Sequence, residues 1–136
     1  MKSRSESLIR LKKFQVDEKR RQVTQIEMMV ADFERMATEL DQQIEIEQQK
    51  TGISDVAHFA YSTFAKAART RRDNLLASAN DMRGTLEAAQ DALAEAIEEL
   101  KKVELLDQRE QQRDVAEQAK LEQDQYDEVA RMRRRR

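Results

Sequence analysis

Residues able to support acid–base, metal or phosphate chemistry are few in this chain, and they do not converge. His58 is the only histidine and there is no cysteine, so a catalytic triad or a transition-metal site lacks the second group it needs. The Asp and Glu residues are spread at helical spacing, which is typical of solvated helix faces. Two glycines exclude a phosphate-cradling loop of the Walker or dinucleotide type. We therefore predict a protein that is not an enzyme, with no catalytic residue, no metal site and no cofactor.

The bulky side chains are concentrated in one short segment. The stretch KTGISDVAHFAYSTF, residues 50–64, contains Phe59, Tyr61 and Phe64 in a chain with four phenylalanines and two tyrosines. Aromatic side chains that face outward on a polar protein are candidate anchors for a partner. The alternative is that they close and shield a turn.

A second concentrated feature is the run RMRRRR at residues 131–136. It can bind nucleic acid through phosphates, place favourable positive charge at a helix C-terminus, or bind an acidic protein. Nucleic-acid binding usually needs a broad basic face, whereas residues 75–130 contain six basic and fifteen acidic residues. We therefore predict no nucleic-acid partner.

The composition favours long helices over an ordinary globular core. Of the 136 residues, 38% are charged and 4% aromatic, and none is proline, which is typical of coiled coils. Disorder is the rival for so polar a chain, and periodicity decides between them. We find no apolar run long enough for a membrane span and no signal peptide. The absence of cysteine is compatible with a reducing cytosol.

The first predicted helix covers residues 4–50. Ser3 and Glu6 fit a capping box at its start. Apolar residues then alternate at steps of four and three, which defines heptad positions a and d over five heptads. The seam consists of Ile9, Lys12, Val16, Lys19, Val23, Ile26, Val30, Phe33, Ala37, Leu40 and Ile44.

A turn is predicted at residues 51–55 and a second helix at 56–132, with a basic tail at 131–136. Gly52 suits the left-handed position after a helix, and Ser54 or Asp55 can cap the next one. Gly84 lies off the second seam, either as a hinge or as a tolerated glycine. That seam consists of Tyr61, Ala65, Ala68, Arg72, Leu75, Ala79, Met82, Leu86, Ala89, Leu93, Ala96, Leu100 and Val103. A shifted seam can resume at Val115, Ala119, Tyr126 and Val129.

Local charge predicts how the helices pair. Residues 2–21 are net +5 and 24–50 are net −5, whereas 85–104 are net −4 and 56–82 are net +2. Folding at the turn places opposite signs beside each other, as flanking charges do in coiled coils. We therefore predict an all-α fold, a long two-helix antiparallel coiled-coil hairpin. It forms a single rod whose C-terminal helix overhangs the first by about 30 residues.

Three segments resemble the FliJ family of flagellar type III export proteins. They are SLIRLKKFQVDEKRRQV near the N-terminus, FAYSTFAKAARTRR after the turn, and KLEQDQYDEVARMRRR near the C-terminus. The resemblance implies a cytoplasmic, non-enzymatic protein, similar to the coiled coil of the rotary ATPase γ subunit. Its implied partners are a hexameric export ATPase ring, the cytoplasmic domain of the export-gate membrane protein, and export chaperones. Association with the inner membrane is then peripheral and through partners only. The alternative is a general coiled-coil scaffold or chaperone unrelated to export.

The resemblance also implies which residues meet the export gate. In the family, two apolar residues four apart, early in the second helix, contact it, and Ala60 and Phe64 align with them. A large aromatic can stand where this chain has Ala60, so Phe59 or Tyr61 can supply the missing bulk. The heptad register places Tyr61 in the core and Phe59 and Phe64 outside it. We therefore predict a gate site of Phe59, Ala60 and Phe64.

The end of the rod that carries both termini is the one expected to bind the ATPase ring. This follows from the resemblance and from the poor seam beyond Val103, which leaves residues available for a partner. The predicted ring-binding residues are Val115, Leu121, Tyr126, Val129 and Arg131.

Overall fold

A computed structural model describes residues 4–135 of the chain. Helix α1 spans Arg4–Thr51 and helix α2 spans Thr63–Arg134, and residues 52–62 connect them. None of the residues from 4 to 135 is in a β-strand. Leu40 and Ile44 of α1 form one buried cluster with Ala68 of α2. The all-α prediction is confirmed, and the two helices pack against each other.

Both helix ends of α1 lie close to their predicted positions. The helix begins at Arg4 and has Glu6 in its first turn and Lys50 in its last turn. These charges complement the helix dipole, which is positive at the N-terminus and negative at the C-terminus. Ser3, the other half of the predicted capping box, lies outside the described residues.

The heptad pattern correctly predicts which side of each helix is covered. Every predicted seam position, from Ile9 to Ile44 and from Tyr61 to Val103, is buried or half-buried. A coiled-coil seam buries a and d side chains against the facing helix, so the periodicity that argued against disorder is the periodicity of the core. The buried members are Val16, Val23, Ala37, Leu40, Ile44, Tyr61, Ala65, Ala68 and Ala79.

Two compact units divide the chain, and one of them consists of residues 17–94. Within this unit, an ion pair joins Asp41 to Arg72, with 2.8 Å between Oδ1 and Nη1. A second ion pair joins Glu34 to Arg83. The earlier residue of α1, Glu34, pairs with the later residue of α2, Arg83. The two helical segments therefore run antiparallel here.

Of the other unit, the structure describes residues 4–16 and 95–135. Lys12 Nζ lies 3.0 Å from Glu99 Oε2, and Ser5 Oγ donates a 3.0 Å hydrogen bond to Glu110 Oε2. These pairs also follow an antiparallel order. Lys12 is therefore a seam lysine whose ammonium group reaches a carboxylate on the facing helix.

The predicted start of the second helix, residue 56, is wrong, as is the five-residue turn before it. Helix α2 begins at Thr63, because Asp55 caps a turn instead of a helix. Its Oδ1 accepts a 3.0 Å hydrogen bond from the backbone N–H of Ala57. The true cap is Ser62, whose Oγ accepts a 3.2 Å hydrogen bond from the N–H of Ala65.

The longer connection also shifts the pairing register. The predicted alignment of residues 24–50 with 56–82 places Glu34 beside Arg72, whereas Glu34 pairs with Arg83. Residues consumed by the connection cannot pair with α1, so the partners of α1 lie further along α2 than predicted. The principle of matching opposite charges is still followed.

Candidate functional site

The chain leaves α1 through a left-handed glycine. Gly52 has a φ angle of 72°, and its N–H donates a 2.9 Å hydrogen bond to the carbonyl of Gln48. A Cβ at Gly52 would meet nothing within 4 Å, so the backbone angle alone explains the glycine. The predicted role of Gly52 is confirmed.

The connection, residues 52–62, is irregular but its turns are hydrogen-bonded. The N–H of His58 donates to the carbonyl of Asp55 at 3.0 Å, and the N–H of Tyr61 donates to the carbonyl of His58 at 3.0 Å. His58 Nδ1 in turn accepts a 3.0 Å hydrogen bond from the N–H of Ala60. Consecutive turns therefore define the path of the chain between the helices.

A polar clasp, formed by Glu47, Gln48, Tyr61 and Ser62, attaches the end of the connection to α1. Gln48 Nε2 donates a 2.9 Å hydrogen bond to Tyr61 Oη, and Ser62 Oγ donates a 3.0 Å hydrogen bond to Glu47 Oε1. Tyr61 is only 9% exposed. The prediction that Tyr61 belongs to the core is confirmed, and the clasp satisfies its hydroxyl group, as buried tyrosines usually require.

The predicted gate residues, which we call the tip surface (Phe59, Ala60 and Phe64), are all exposed. Phe59 is 97% exposed and Phe64 is 56% exposed. The ring of Phe59 stacks on the imidazole of His58, with 4.7 Å between ring centroids and 22° between ring planes. Phe64 faces outward from the first turn of α2 as its heptad position predicts. Phe59 precedes α2, so its exposure comes from the connection and not from a helical position.

The predicted ring-binding residues lie on a helix that is exposed on all sides. Every described residue from 108 to 135 is exposed, so the shifted seam predicted from Val115 onward is not buried. Val115, Tyr126 and Val129 recur at three and four helical turns and share one side of α2. Leu121 lies six residues after Val115 and therefore projects from a different side. Arg131 Nη2 is paired with Glu128 Oε2 at 2.7 Å.

A family model described as flagellar FliJ protein matches residues 1–136 of the chain. The chain belongs to the FliJ family. No curated protein and no solved structure matches it. As a member of the FliJ family, the protein has a role related to flagellar export, and the family is non-catalytic.

Within residues 4–135 no three His, Cys, Asp or Glu side chains converge as metal ligands. The packed helices leave an open groove of about 450 Å³ beside Leu40 and Leu75. The other lining residues are Met36, Glu39, Gln43, Arg71, Asn74 and Ser78. Neither helix, within the described residues, contains a stretch that is both long and apolar enough to cross a membrane.

Two exposed apolar residues lie outside both the seams and the tip surface, and the sequence did not predict them. Ile46 precedes Glu47 of the polar clasp and Val56 lies in the connection, and both side chains are exposed. Ile46 falls outside the α1 seam, and an apolar residue at such a position could have indicated an exposed apolar side chain. The sequence pattern placed Val56 at the start of the second helix, but α2 begins only at Thr63. Val56 therefore lies in the connection, three residues before Phe59.

Proposed function

We propose that this protein is a stalk and adaptor of the flagellar type III export apparatus. In this proposal the connection meets the cytoplasmic domain of the export-gate membrane protein, and the C-terminal part of α2 enters the hexameric export ATPase ring. Export chaperones are its further partners. It works in the cytoplasm and reaches the inner membrane only through these partners.

The observation that carries the proposal is the contrast between the ordered connection and its exposed aromatic group. Turns and the polar clasp hold residues 52–62 in place, yet Phe59 is 97% exposed. An exposed phenyl group on a highly charged protein contributes nothing to the seam. Its burial in a partner is worth about 1.5–3 kcal/mol, which makes it suitable as an anchor for the gate.

The proposed ATPase-ring site is supported by a different observation, an exposed stretch of α2 that does not pack on α1. Val115, Tyr126 and Val129 follow one side of α2 and remain exposed. Among the described residues from 111 to 135, no hydrogen bond or ion pair reaches α1. A helix without tertiary packing is only marginally stable in water. A ring that covers this helix would bury the exposed apolar side chains and order the segment.

Membership of the FliJ family argues against the alternative of a scaffold unrelated to export. We also leave nucleic acid out of the proposed partners. Residues 75–130 contain fifteen acidic and six basic residues, so phosphate groups would be repelled along most of α2.

The test is the stimulation of the purified export ATPase by the full chain and by a chain lacking residues 115–136. We expect the shortened protein to lose stimulation because the deletion removes the predicted ring-binding residues. Circular dichroism is the control, and helicity per residue should stay nearly unchanged because the buried seam lies outside the deletion. Full stimulation by the shortened chain would show that the ring is bound elsewhere.

A further inference from the structure

The side chain of Phe59 has almost no protein around it and yet has a defined contact. It is 97% exposed, and its ring stacks on the imidazole of His58 at 4.7 Å between centroids. Aromatic pairs at this separation attract each other when they stack. The stack therefore favours one orientation of a side chain that would otherwise sample several rotamers.

The imidazole of His58 is itself held in place by the connection. Its Nδ1 accepts a hydrogen bond from the N–H of Ala60 at 3.0 Å. The backbone of His58 is fixed on both sides, by hydrogen bonds to the carbonyl of Asp55 and from the N–H of Tyr61. Tyr61 is joined to α1 through Gln48. A continuous series of contacts thus runs from α1 to the ring on which Phe59 rests.

We propose that His58 is a positioning residue that holds Phe59 in the orientation that docks on the export gate. The docking role rests on the proposed function. The orientation of Phe59 rests on its stack with His58 and on the hydrogen bond from Ala60 to His58. Holding Phe59 before binding reduces the side-chain entropy that association costs. The only histidine of the chain thereby acts through Phe59 and need not touch the partner.

The turn hydrogen bond requires Nδ1 without a proton, because a protonated imidazole has only donors. The charged groups near His58 in the chain are Asp55 in the connection, Glu47 and Lys50 at the end of α1, and Lys66 in α2. Within the described structure none of them forms a hydrogen bond or ion pair with the imidazole. Nδ1 of His58 is therefore the acceptor of this turn, and an imidazole that carries protons on both nitrogens could not form it.

Three substitutions separate the two contacts of His58. His58→Asn keeps an acceptor for the N–H of Ala60 and removes the stacking ring. The same two-residue turn already exists at Asp55, whose Oδ1 accepts from the N–H of Ala57 at 3.0 Å. His58→Phe keeps an aromatic ring and removes the acceptor, and His58→Ala removes both. Val56→Ala is the matched control, because it shortens an exposed apolar side chain of the same connection.

The first measurement uses the free protein, so it does not depend on the gate. NMR should show contacts between the rings of His58 and Phe59, and slowed exchange of the Ala60 amide. We expect His58→Asn to keep the amide protection and lose the ordering of Phe59, with His58→Ala losing both. A Phe59 ring equally mobile in wild type and His58→Ala would overturn the inference.

The second measurement titrates the cytoplasmic gate domain against the same variants. His58→Ala should weaken binding by about two- to tenfold, the range expected for losing the preorganisation of one side chain. His58→Asn and His58→Phe should each recover part of the loss, and Val56→Ala should bind as wild type does. If Phe59→Ala weakens binding and His58→Ala does not, the positioning role is wrong while the docking site stands. If Phe59→Ala binds as wild type does, the proposed gate site fails instead.

Discussion

Arg72 shows why a charged residue can interrupt an apolar seam. Its side chain is 20% exposed, and its guanidinium group contacts Asp41 of α1 at 2.8 Å and Asp73 of α2 at 2.9 Å. Hydrogen bonds to Asp41 and then Asp73 raise the pKa of Arg72 above its ordinary value. The heptad pattern placed Arg72 in the seam but could not predict that Asp41 is its partner. The partner depends on the register between the helices, which the length of the connection sets.

We predict that Arg72 and Asp41 are coupled only modestly. The Asp41 side chain is 53% exposed, so solvent screens the pair, and a coupling of about 0.2–1 kcal/mol is expected. The measurement is a double-mutant cycle of unfolding free energies with Arg72→Met and Asp41→Asn, at low and high salt. A coupling that is large and insensitive to salt would show that the pair is shielded from water.

Tyr61 and Phe59 are two residues apart and have opposite environments. Position d of the heptad correctly predicted the burial of Tyr61, since the seam extends two residues before the start of α2 at Thr63. The hydrogen bond from Gln48 to its hydroxyl could not be predicted, because side chains thirteen positions apart meet only through the particular path of the connection.

Tyr61→Phe should lower the free energy of unfolding by about 0.5–1.5 kcal/mol, because it leaves the amide of Gln48 without this partner. Gate binding should fall by less than it does in His58→Ala, since Tyr61→Phe keeps the buried ring and the backbone hydrogen bond to the carbonyl of His58. Chemical denaturation and a gate titration of the same preparation measure the two effects. A loss of gate affinity with no loss of stability would place Tyr61 in the docking surface.

At the level of elements, the helices were predictable and the connection was not. The two seams repeat over many turns, so their signal accumulates, whereas a cap depends on a single side chain. Ser54, Asp55 and Ser62 all have the right chemistry for a helix cap. The turn hydrogen bonds at Asp55 and His58 keep the backbone out of a helix until Ser62.

The two glycines should respond in opposite ways to alanine. Gly52→Ala forces a Cβ into a left-handed conformation with φ of 72° and should destabilise the protein by about 1–2 kcal/mol. Gly84→Ala should stabilise it by about 0.8–1 kcal/mol, because the site is inside α2 and has open space for a Cβ. Thermal melts of both variants provide the comparison. A destabilising Gly84→Ala would favour the hinge interpretation of Gly84.

At the scale of the whole molecule, the distribution of charge along the sequence was the most useful guide to how the two helices pair. Basic and acidic blocks predicted antiparallel pairing, and ion pairs within each unit follow that order. The predicted register was wrong by up to about three helical turns, since Glu34 pairs with Arg83 and not with Arg72. Charge blocks of about twenty residues cannot specify a finer alignment. Periodicity alone did not identify the partner sites. Ala60 and Phe64 came from the family resemblance, and the heptad register placed Phe59 and Phe64 outside the seam. The polar clasp depends on the path of the connection and required the fold.

If the gate and the ATPase ring bind separate parts of the chain, the double substitution Phe59→Ala, Phe64→Ala should affect only gate binding. Both side chains are exposed, so the melting temperature should remain that of the wild type. Loss of one buried phenyl group is worth about 1.5–3 kcal/mol, or roughly ten- to a hundredfold in affinity. Titration of the gate domain and of the ATPase ring against this variant should show gate binding weakened at least tenfold and ring binding unchanged. Unchanged gate affinity together with a sharply lowered melting temperature would show that the two aromatic groups are structural and do not dock on the gate.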